Sequence, residues 1–406
     1  MRSGYNNGRL EVTIRSNPFM AMAIAAVTVA AAGPAAADVV KVGVVGPFSG
    51  AYSLYGKSFK QGVEAYVAAH GNSIGGNTVE FVFKDLDGPS PAKAKALAQE
   101  LIVKDRVNYL AGFYLTPNAL AVTPLLEEAK VPMVVFNAAT SSITEKSQYI
   151  VRTSFTMWQN AVPAAKVAEK MGVKKVAIAV SDYAPGIDAE TAFKKAFEGT
   201  GGSVVEAVRM SLNMTDFAPV MQRLGNSGAE AVFAFLPSGP ATLGFVKAFH
   251  QHGLKDKGIK LLSTGDVVPE PDLPSLGDAG LGILSTYHYA VSHNSPENAR
   301  FLAEVEKIGG SRGDVTMATV GAYDGTHLIY KMIEAAGAAR DPDKAMAAVK
   351  DYSWTSPRGP VRIDPQSRHI RQTVYLRVVE AQNGGFINKE MESFPDQPDF
   401  GFAQGK

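Results

Sequence analysis

"VKVGVVGPFSGAYSLYGKSFKQGVEAYVAA", residues 40–69, opens the folded part of the chain. A β-branched apolar run is followed by a turn rich in glycine, proline and serine, and then by a stretch of helical length, so it predicts a strand, a turn and a helix. Nucleotide-binding domains often begin in this way. The turn contains GVVGPFSG rather than G-x-G-x-x-G, however, and no acidic residue follows a second strand where a ribose would need one. The stretch therefore does not predict a phosphate site.

The alternation of strand and helix continues along the chain. Nearly continuous apolar runs are typical of strands that are buried on both faces of a parallel sheet. The predicted strands are 39–45, 79–85, 108–113, 131–137, 174–182, 203–210, 229–236 and 258–265. The predicted helices between them are 53–70, 91–106, 117–130, 159–171, 186–199, 216–226 and 240–253. The last hundred residues add strands at 282–290 and 372–381 and helices at 297–309 and 317–336.

Eight strand–helix units are too many for one sheet and divide into two groups of four. They predict an α/β fold of two doubly wound parallel-sheet lobes, joined by a hinge that the chain crosses several times. We assign 38–156 plus 289–370 to lobe 1 and 157–288 plus 371–392 to lobe 2. Residues 393–406 are rich in proline, glycine and polar side chains, which predicts a loose C-terminal tail.

The first 37 residues differ from the rest. A basic start is followed by an apolar run at 19–33 and by small residues before Ala37, the order of a secretory signal peptide. The apolar run is shorter than the roughly 20 residues of a membrane span, although an uncleaved anchor stays an alternative. Because no cysteine follows the run, a lipid anchor is excluded. We expect cleavage near Ala37 and export to the periplasm, with Met20 as an alternative start.

Composition excludes several classes of function. The 406 residues contain 40 basic and 39 acidic side chains and no cysteine. A net charge of +1 without a basic run gives no support for binding to nucleic acid. The absence of cysteine removes disulfides, thiolate metal sites, cysteine nucleophiles and iron–sulfur clusters together.

No catalytic motif is found. The chain lacks a P-loop and a G-x-S-x-G nucleophile elbow. His250 and His252 are two residues apart and would point away from each other on a helix, while Asp85 and Asp87 alone make a weak cation site. We therefore predict no enzyme, no metal and no cofactor, with an enzyme whose site is assembled from distant residues as the minority alternative.

The order of motifs resembles the branched-chain amino acid (leucine/isoleucine/valine) binding proteins, the periplasmic receptors of ABC importers with the type I periplasmic binding fold. The resemblance extends from residue 38 to about 390. Its carriers include the opening stretch, "YLAGFYLTPNALAVTPLLEEAKVPMVVFNAAT" (109–140), "YIVRTSF" (149–155) and "GAYDGTHLIYKMIEAAG" (321–337). It implies a monomeric receptor that closes two lobes on a small ligand and delivers it to a membrane permease with its ATPase. An exported sensor of the same fold is the alternative.

The resemblance also implies a ligand site in which backbone N–H groups and short hydroxyl side chains hold a carboxylate. Such donors can hold an anion without a counter-charge. In the first lobe the matching positions are Tyr55, Tyr114, Leu115, Thr116, Ala138, Ala139 and Thr140. In the second lobe they are Gly186 and Ser238, with Tyr183 three residues before the family's tyrosine position and Asp266 displaced by one position from the family's acid.

Departures from the family pattern bear on the ligand. Gly186, Ser238 and Ala318 stand where amino-acid binders carry aromatic side chains, which indicates a larger ligand unless other aromatic residues refill the space. The candidates for refilling are Phe113, Tyr114, Trp158 and Tyr183. Asp266 lies near the position of the family's acid for an α-ammonium group. If it faces the cleft, an amino acid is expected, and if it points away, an aromatic or other organic acid is expected.

Overall fold

A computed structural model gives the structure of residues 1–4, 8, 38–337 and 340–402. The chain divides into a unit of residues 1–37 and a unit of residues 38–406. The predicted signal peptide, with its apolar run at 19–33 and cleavage near Ala37, lies outside the described residues. Among the residues that the structure describes, no helix combines the length and the apolar character needed to cross a membrane.

The opening stretch forms strand β1 (Val39–Gly46) and helix α1 (Ser53–His70), as predicted. Alternate residues of β1 face opposite sides of the sheet, which is why an almost wholly apolar strand is required. Val42 and Val44 belong to the core on one side with α1, whereas Val45 belongs to the core on the other side. A side chain at Gly62 of α1 would collide with the carbonyl of Thr319, 2.2 Å from its Cβ, so this glycine allows close helix packing.

The first sheet contains β1 and five more strands, of which the short antiparallel edge strand and the last strand were not predicted. These five are β2 (Ser73–Ile74), β3 (Asn77–Asp85), β4 (Tyr109–Gly112), β5 (Met133–Val135) and β6 (Ile150–Arg152). The order is β2-β3-β1-β4-β5-β6, and every pair except β2–β3 is parallel. This is the doubly wound lobe that the sequence predicts.

Helices cover both faces of the first sheet. Helices α2 (Pro91–Val103) and α3 (Thr116–Ala129) pack on the side of Val45. The opposite side is covered by α1 and by α10 (Met317–Ala336), a helix from the late part of the chain. The carboxyl ends of the parallel strands β1, β4 and β5 are thereby left open at one edge of the lobe.

The second sheet has nine strands. They are β7 (Lys175–Ser181), β8 (Ser203–Met210), β9 (Ala231–Phe235), β10 (Lys260–Thr264), β11 (Leu284–Tyr287), β12 (Ser353–Ser356), β13 (Gly359–Ile363), β14 (Ile370–Gln382) and β15 (Gly385–Gln397). The order is β12-β13-β14-β11-β10-β9-β7-β8, with β15 paired to β14. Strands β7 to β11 are parallel, and the late strands join antiparallel.

The remaining helices complete the two lobes. They are α4 (Met157–Lys170), α5 (Ala184–Glu198), α6 (Ala218–Asn226), α7 (Pro240–Gln251), α8 (Leu273–Leu276), α9 (Pro296–Lys307) and α11 (Pro342–Val349). Helices α4 and α5 share one core with β7, whereas α6 and α7 pack on its other face. Helix α9 packs on α1 of the first lobe.

The late chain contacts both lobes. Strands β12 and β13, which the predicted boundaries assign to lobe 1, pair within the second sheet. The turn after β13 returns to the first lobe, where Arg152 N donates to the carbonyl of Arg368 at 3.0 Å. The chain therefore passes between the lobes more than once, as a multi-crossover hinge requires, and the lobe boundaries stay a prediction.

The prediction of a loose tail is wrong for residues 393–402. Residues up to Gln397 belong to β15, and Asp399 is buried at the hinge, where it accepts a hydrogen bond from Ser141 Oγ at 2.7 Å. Composition predicts poorly here because the segment is held by partners from distant parts of the chain. Residues 403–406 lie outside the described chain.

Candidate functional site

The predicted site residues all follow the carboxyl ends of parallel strands. In the first lobe they follow β1, β4 and β5, and in the second lobe they follow β7, β9 and β10. Ligands of open parallel sheets bind at this edge because the loops there project beyond the sheet. The two edges meet across a cleft, so the candidate site lies between the lobes.

The turn between β1 and α1, residues 47–52, already binds a carboxylate of its own lobe, that of Asp85. The backbone N–H groups of Phe48 and Ser49 donate to Asp85 Oδ1 at 2.8 and 3.2 Å. A side chain at Gly56 would lie 2.2 Å from the carbonyl of Pro47, so the first turn of α1 packs directly on this turn. The donors that a phosphate would need are thus already used, in agreement with the missing glycine motif.

Two threonine hydroxyls meet at the first-lobe edge. Thr116 is the first residue of α3, and Thr140 follows β5, yet Thr116 Oγ1 donates to Thr140 Oγ1 at 3.1 Å. The backbone N–H of Thr140 points to Thr116 Oγ1 at 3.4 Å, and both residues are buried. The pair lies at the N-terminus of α3, where the helix dipole favours a negative charge.

The residues next to Thr116 and Thr140 in the sequence hold the two loops that contain this pair. Leu115, the residue before α3, and Ala139 are buried in one apolar core, and Ala138 in the other. Ala138 N donates to the Phe113 carbonyl at 3.0 Å, and Asn137 Nδ2 donates to the Tyr114 carbonyl at 2.9 Å. These bonds tie the two loops together, so the threonine hydroxyls are held in register.

A group of tyrosine rings lies beside the threonine pair. The Tyr114 ring is 5.3 Å from that of Tyr55 and 5.2 Å from that of Tyr52. Burial raises the pKa of all three phenols, so they stay protonated at neutral pH. The Tyr114 hydroxyl is buried and has no hydrogen-bond partner among the described residues. A buried hydroxyl without a partner costs about 1–3 kcal/mol, so this group is a candidate ligand contact.

The second-lobe edge contributes Ser238 and Asp266. The hydroxyl of Ser238 donates to the backbone carbonyl of Asp266 at 2.7 Å. The Asp266 carboxylate accepts hydrogen bonds from Tyr287 Oη and Thr264 Oγ1, each at 3.0 Å. Burial raises the pKa of Asp266 to about 6, and these hydroxyl donors offset part of that rise. Both carboxylate oxygens are therefore engaged within the second lobe.

Tyr183 and Gly186 lie where α5 begins. The Tyr183 ring stacks on that of Phe235, with the ring centroids 6.0 Å apart. The pKa of its phenol is raised mainly by burial and to a smaller extent by the nearby Tyr55 and Asp266. A Cβ at Gly186 would lie 1.8 Å from the Ser181 carbonyl of the preceding strand. The glycine is thus required for α5 to approach β7, which is a packing reason for the missing side chain.

The two lobes touch across the cleft. Ser238 N of the second lobe donates to Tyr55 Oη of the first at 3.0 Å. Ser141 N of the first lobe donates to Asp188 Oδ2 of α5 at 3.1 Å. These contacts join the two lobes directly, so the structure is that of a closed form.

A cavity of about 330 Å³ lies beside the tyrosine cluster. Tyr52 lines it from the first lobe, and Pro237, Gly239 and Phe217 line it from the second. Neither Thr116 nor Thr140 lines this cavity.

Several other sequence-derived candidates lie elsewhere. Phe113 is buried in the core between the first sheet and α2–α3, and Trp158 packs near Gly401 at the hinge. Of the four aromatic residues considered for refilling the space, Tyr114 and Tyr183 are the two in the tyrosine region of the cleft. Within the described chain no group of three or more histidine or acidic side chains could hold a metal ion.

Sequence reasoning missed Tyr52, Phe235 and Tyr287. Tyr52 precedes α1 in the opening turn, only three residues before Tyr55, so its place in that turn was the available signal. Phe235 and Tyr287 end strands β9 and β11, and apolar residues at strand ends are indistinguishable from core residues in sequence.

Comparisons with known proteins agree with this architecture. Residues 39–385 match the family model described as periplasmic binding protein. A "Leu/Ile/Val-binding protein homolog 6" from Brucella melitensis is 58% identical over 383 residues, which cover 94% of this chain and 98% of the relative.

Two solved structures are also similar. An ABC transporter solute-binding protein from R. palustris in complex with 4-hydroxybenzoate is 69% identical, with a TM-score of 0.89, covering 90% of this chain and all of that chain. Another, from Rhodopseudomonas palustris BisB5 in complex with 3,4-dihydroxybenzoic acid, is 42% identical, with a TM-score of 0.85, covering 90% and 99% of the two chains.

Proposed function

The chain belongs to the periplasmic binding protein family, and we propose that its ligand is 4-hydroxybenzoate or a closely related aromatic carboxylate. It is a solute-binding protein of the ABC transporter type that captures a small carboxylate-bearing solute. The observation that carries the proposed ligand is the pair Thr116 and Thr140 beside the rings of Tyr52, Tyr55 and Tyr114. Hydroxyl and helix N-terminal donors suit a carboxylate, and the rings suit an aromatic body.

The class of aromatic carboxylates is supported by similar solved structures and is not decided by Asp266. The two carboxylate oxygens of Asp266 already accept hydrogen bonds from Tyr287 and Thr264. Each carboxylate oxygen can accept a second hydrogen bond, so this geometry does not distinguish an amino acid from an acid without an amine. The similar structure at 69% identity carries 4-hydroxybenzoate and the one at 42% carries 3,4-dihydroxybenzoic acid, which supports the same ligand class.

In the proposed mode of binding, the carboxylate lies against Thr116 and Thr140, and the ring lies between Tyr55 and the second lobe. The unpartnered Tyr114 hydroxyl donates to a ligand oxygen. The contact between Tyr55 and Ser238 closes the lobes over the ligand, which removes it from solvent and strengthens every polar contact inside.

A branched-chain amino acid is the second candidate. It is favoured by the name of the relative that is 58% identical, and by the buried acid Asp266 at the second-lobe edge. In that case the ammonium group would donate to Asp266, whose carboxylate oxygens can each accept a second hydrogen bond. The two candidates predict opposite ligand preferences.

Isothermal titration with a small panel separates them. The panel is 4-hydroxybenzoate, 3,4-dihydroxybenzoate, benzoate, leucine and the neutral methyl ester of 4-hydroxybenzoate. We expect one saturable site for 4-hydroxybenzoate and no binding of the ester or of leucine. A protein that binds leucine and no aromatic acid would contradict the proposed ligand, and binding of the ester as tightly as the acid would contradict the anion site.

The proposal also includes the partners of the protein and its location in the cell. We infer that the receptor is a monomer that delivers its ligand to an ABC permease and ATPase, after export and cleavage near Ala37. We also infer that it performs no catalysis, since its family consists of solute-binding proteins. Recovery of unchanged 4-hydroxybenzoate after prolonged incubation is the expected result, and a chemically altered product would contradict it.

A further inference from the structure

Four side chains from distant parts of the chain hold the backbone behind the threonine pair. We call this set the Ser141 clamp, and its members are Arg152, Asp188, His369 and Asp399. Arg152 ends strand β6, Asp188 belongs to α5 of the second lobe, His369 precedes β14, and Asp399 follows β15 in the C-terminal segment. All contact either Thr140 or Ser141.

Asp399 is the centre of the clamp. Its Oδ1 accepts hydrogen bonds from Ser141 Oγ at 2.7 Å and from Thr156 Oγ1 at 3.0 Å. Its Oδ2 lies 3.0 Å from His369 Nε2, which is also 3.0 Å from the Ser141 carbonyl oxygen. Thr156 is the N-cap of α4, the first helix after the crossover into the second lobe. One carboxylate therefore joins the ligand loop, the hinge and the second lobe.

The charge state of Asp399 suits this role. Burial raises the pKa of this carboxyl, but the close approach of His369, the hydrogen bond from Ser141 and the charge of Arg152 together outweigh burial and lower the pKa to about 2. The side chain of Asp399 is 1% exposed. Hydrogen bonds to an ionised group are stronger than those between neutral groups, so the clamp is stiff.

Arg152 and Asp188 hold the other polar atoms of the same two residues. Arg152 Nη2 donates to the Thr140 carbonyl at 2.6 Å, and Asp188 Oδ2 accepts from Ser141 N at 3.1 Å. Arg152 is fully buried, and burial lowers the pKa of its guanidinium to about 10, so it stays protonated at neutral pH. These bonds hold the backbone on both sides of the peptide bond between Thr140 and Ser141, from which the Thr140 hydroxyl projects toward Thr116.

We propose that Asp399, supplied by the C-terminal segment, is a positioning residue for ligand capture. It acts through Ser141, keeping the adjacent Thr140 in the orientation that holds the ligand carboxylate. The inference rests on the proposed function, because it assumes that the carboxylate binds at Thr116 and Thr140. A displacement of about 1 Å in such a supporting shell is enough to lose affinity at a polar site.

The test measures the affinity for 4-hydroxybenzoate at 20 °C by isothermal titration. The variants are Asp399→Ala, the nearly isosteric Asp399→Asn, and the control Asp396→Asn. Asp396 lies in the same C-terminal part of the chain, but its side chain is 63% exposed and pairs with Arg371 at the surface. Melting temperature and circular dichroism establish that each variant is folded under the conditions of the titration.

We expect Asp399→Ala to raise Kd at least tenfold, Asp399→Asn to raise it severalfold, and Asp396→Asn to leave it unchanged. If Asp399→Ala does not fold, the Asp399→Asn variant decides the question alone. A folded Asp399 variant with the wild-type Kd and only a lower melting temperature would overturn the proposal, since that is what a purely structural role predicts.

A double-mutant cycle with Ser141→Ala tests the route through Ser141. If Asp399 acts through Ser141, Ser141→Ala alone weakens binding, and adding it to Asp399→Ala causes little further loss. Fully additive losses would overturn this route. Failure of the wild-type protein to bind any carboxylate of the panel would instead contradict the proposed function, and with it this inference.

Discussion

At the scale of single residues, the anion site depends on the meeting of two hydroxyls. Thr116 begins a helix and Thr140 ends a strand loop, 24 positions later in sequence. Each has an ordinary structural role as a helix start or a loop residue, so neither is distinctive alone. Their separation of 3.1 Å beside a helix N-terminus is the basis of the proposed carboxylate site.

Replacing both residues by alanine tests this site. We expect Thr116→Ala with Thr140→Ala to weaken 4-hydroxybenzoate binding by about 3 kcal/mol, a factor of roughly 100 in Kd, because hydrogen bonds to a charged group are lost. Thr123→Ala is the matched control, since this threonine lies on the same helix and donates only to the Leu120 carbonyl. An unchanged Kd in the double variant would remove the pair from the site.

Asp266 gives a prediction about pH. Its pKa is raised to about 6 by burial in the folded protein, so the folded state holds this proton where the unfolded chain has lost it. The resulting contribution to stability is present below pH 4 and is lost as pH rises through about 6, a change of about 3 kcal/mol.

Comparison of the wild type with Asp266→Asn isolates this effect from those of Asp188 and Asp272, whose pKa values are also raised to about 6 by burial. Guanidinium unfolding of the ligand-free proteins at pH 4.5 and pH 7.5 is the measurement. We expect the wild type to lose more free energy of unfolding than the variant over this interval. Equal losses in the two proteins would argue against a raised pKa at Asp266.

At the scale of elements, the strand ends position the site and the helix starts provide its donors. Each predicted site residue follows a strand whose apolar run is clear in the sequence, and the residues themselves were predicted from the family resemblance. How closely a helix approaches a neighbouring strand was not predictable from the sequence. Gly186 illustrates this, because its missing side chain allows α5 to lie against the Ser181 carbonyl.

We expect Gly186→Ala to destabilise the protein by at least about 2 kcal/mol, since the added Cβ would overlap a backbone oxygen. Gly225→Ala on α6 is the control, because its Cβ would meet only the end of the Lys257 side chain at 3.6 Å. A glycine in a helix interior costs about 0.5–1 kcal/mol relative to alanine, so the control is expected to be stabilised slightly. Thermal and denaturant unfolding measure both. A neutral Gly186→Ala would contradict the close approach of α5 and β7.

At the scale of the whole molecule, closure depends on few direct contacts between the lobes. The hydrogen bond from Ser238 N to Tyr55 Oη joins the first helix of one lobe to a strand end of the other. A ligand that binds between these elements favours the closed form, because only that form supplies both halves of the site.

Tyr55→Phe removes this contact while it keeps the ring. We expect Kd to rise about fivefold, or about 1 kcal/mol, with most of the change in the dissociation rate. Tyr149→Phe is the control, since that hydroxyl bonds Asp343 away from the cleft. Stopped-flow dissociation and titration check the prediction. A change confined to the association rate would mean that the bond does not hold the lobes closed.

The sequence by itself determined the architecture of this protein. Its apolar runs are long enough to be buried on both faces, and their alternation with helices leaves little choice beyond two parallel-sheet lobes. The same pattern predicted the strand ends that Thr116, Thr140, Ser238 and Asp266 follow, whereas the choice of these residues came from the family resemblance. Its composition also excluded cysteine chemistry.

Only the tertiary structure decided which of these residues meet and what supports them. It brought Asp399 from a segment expected to be loose into the Ser141 clamp, and it engaged both oxygens of Asp266 within the second lobe. The reason is physical: hydrogen bonds between residues hundreds of positions apart leave no periodic trace in sequence, whereas burial of strands and helices does.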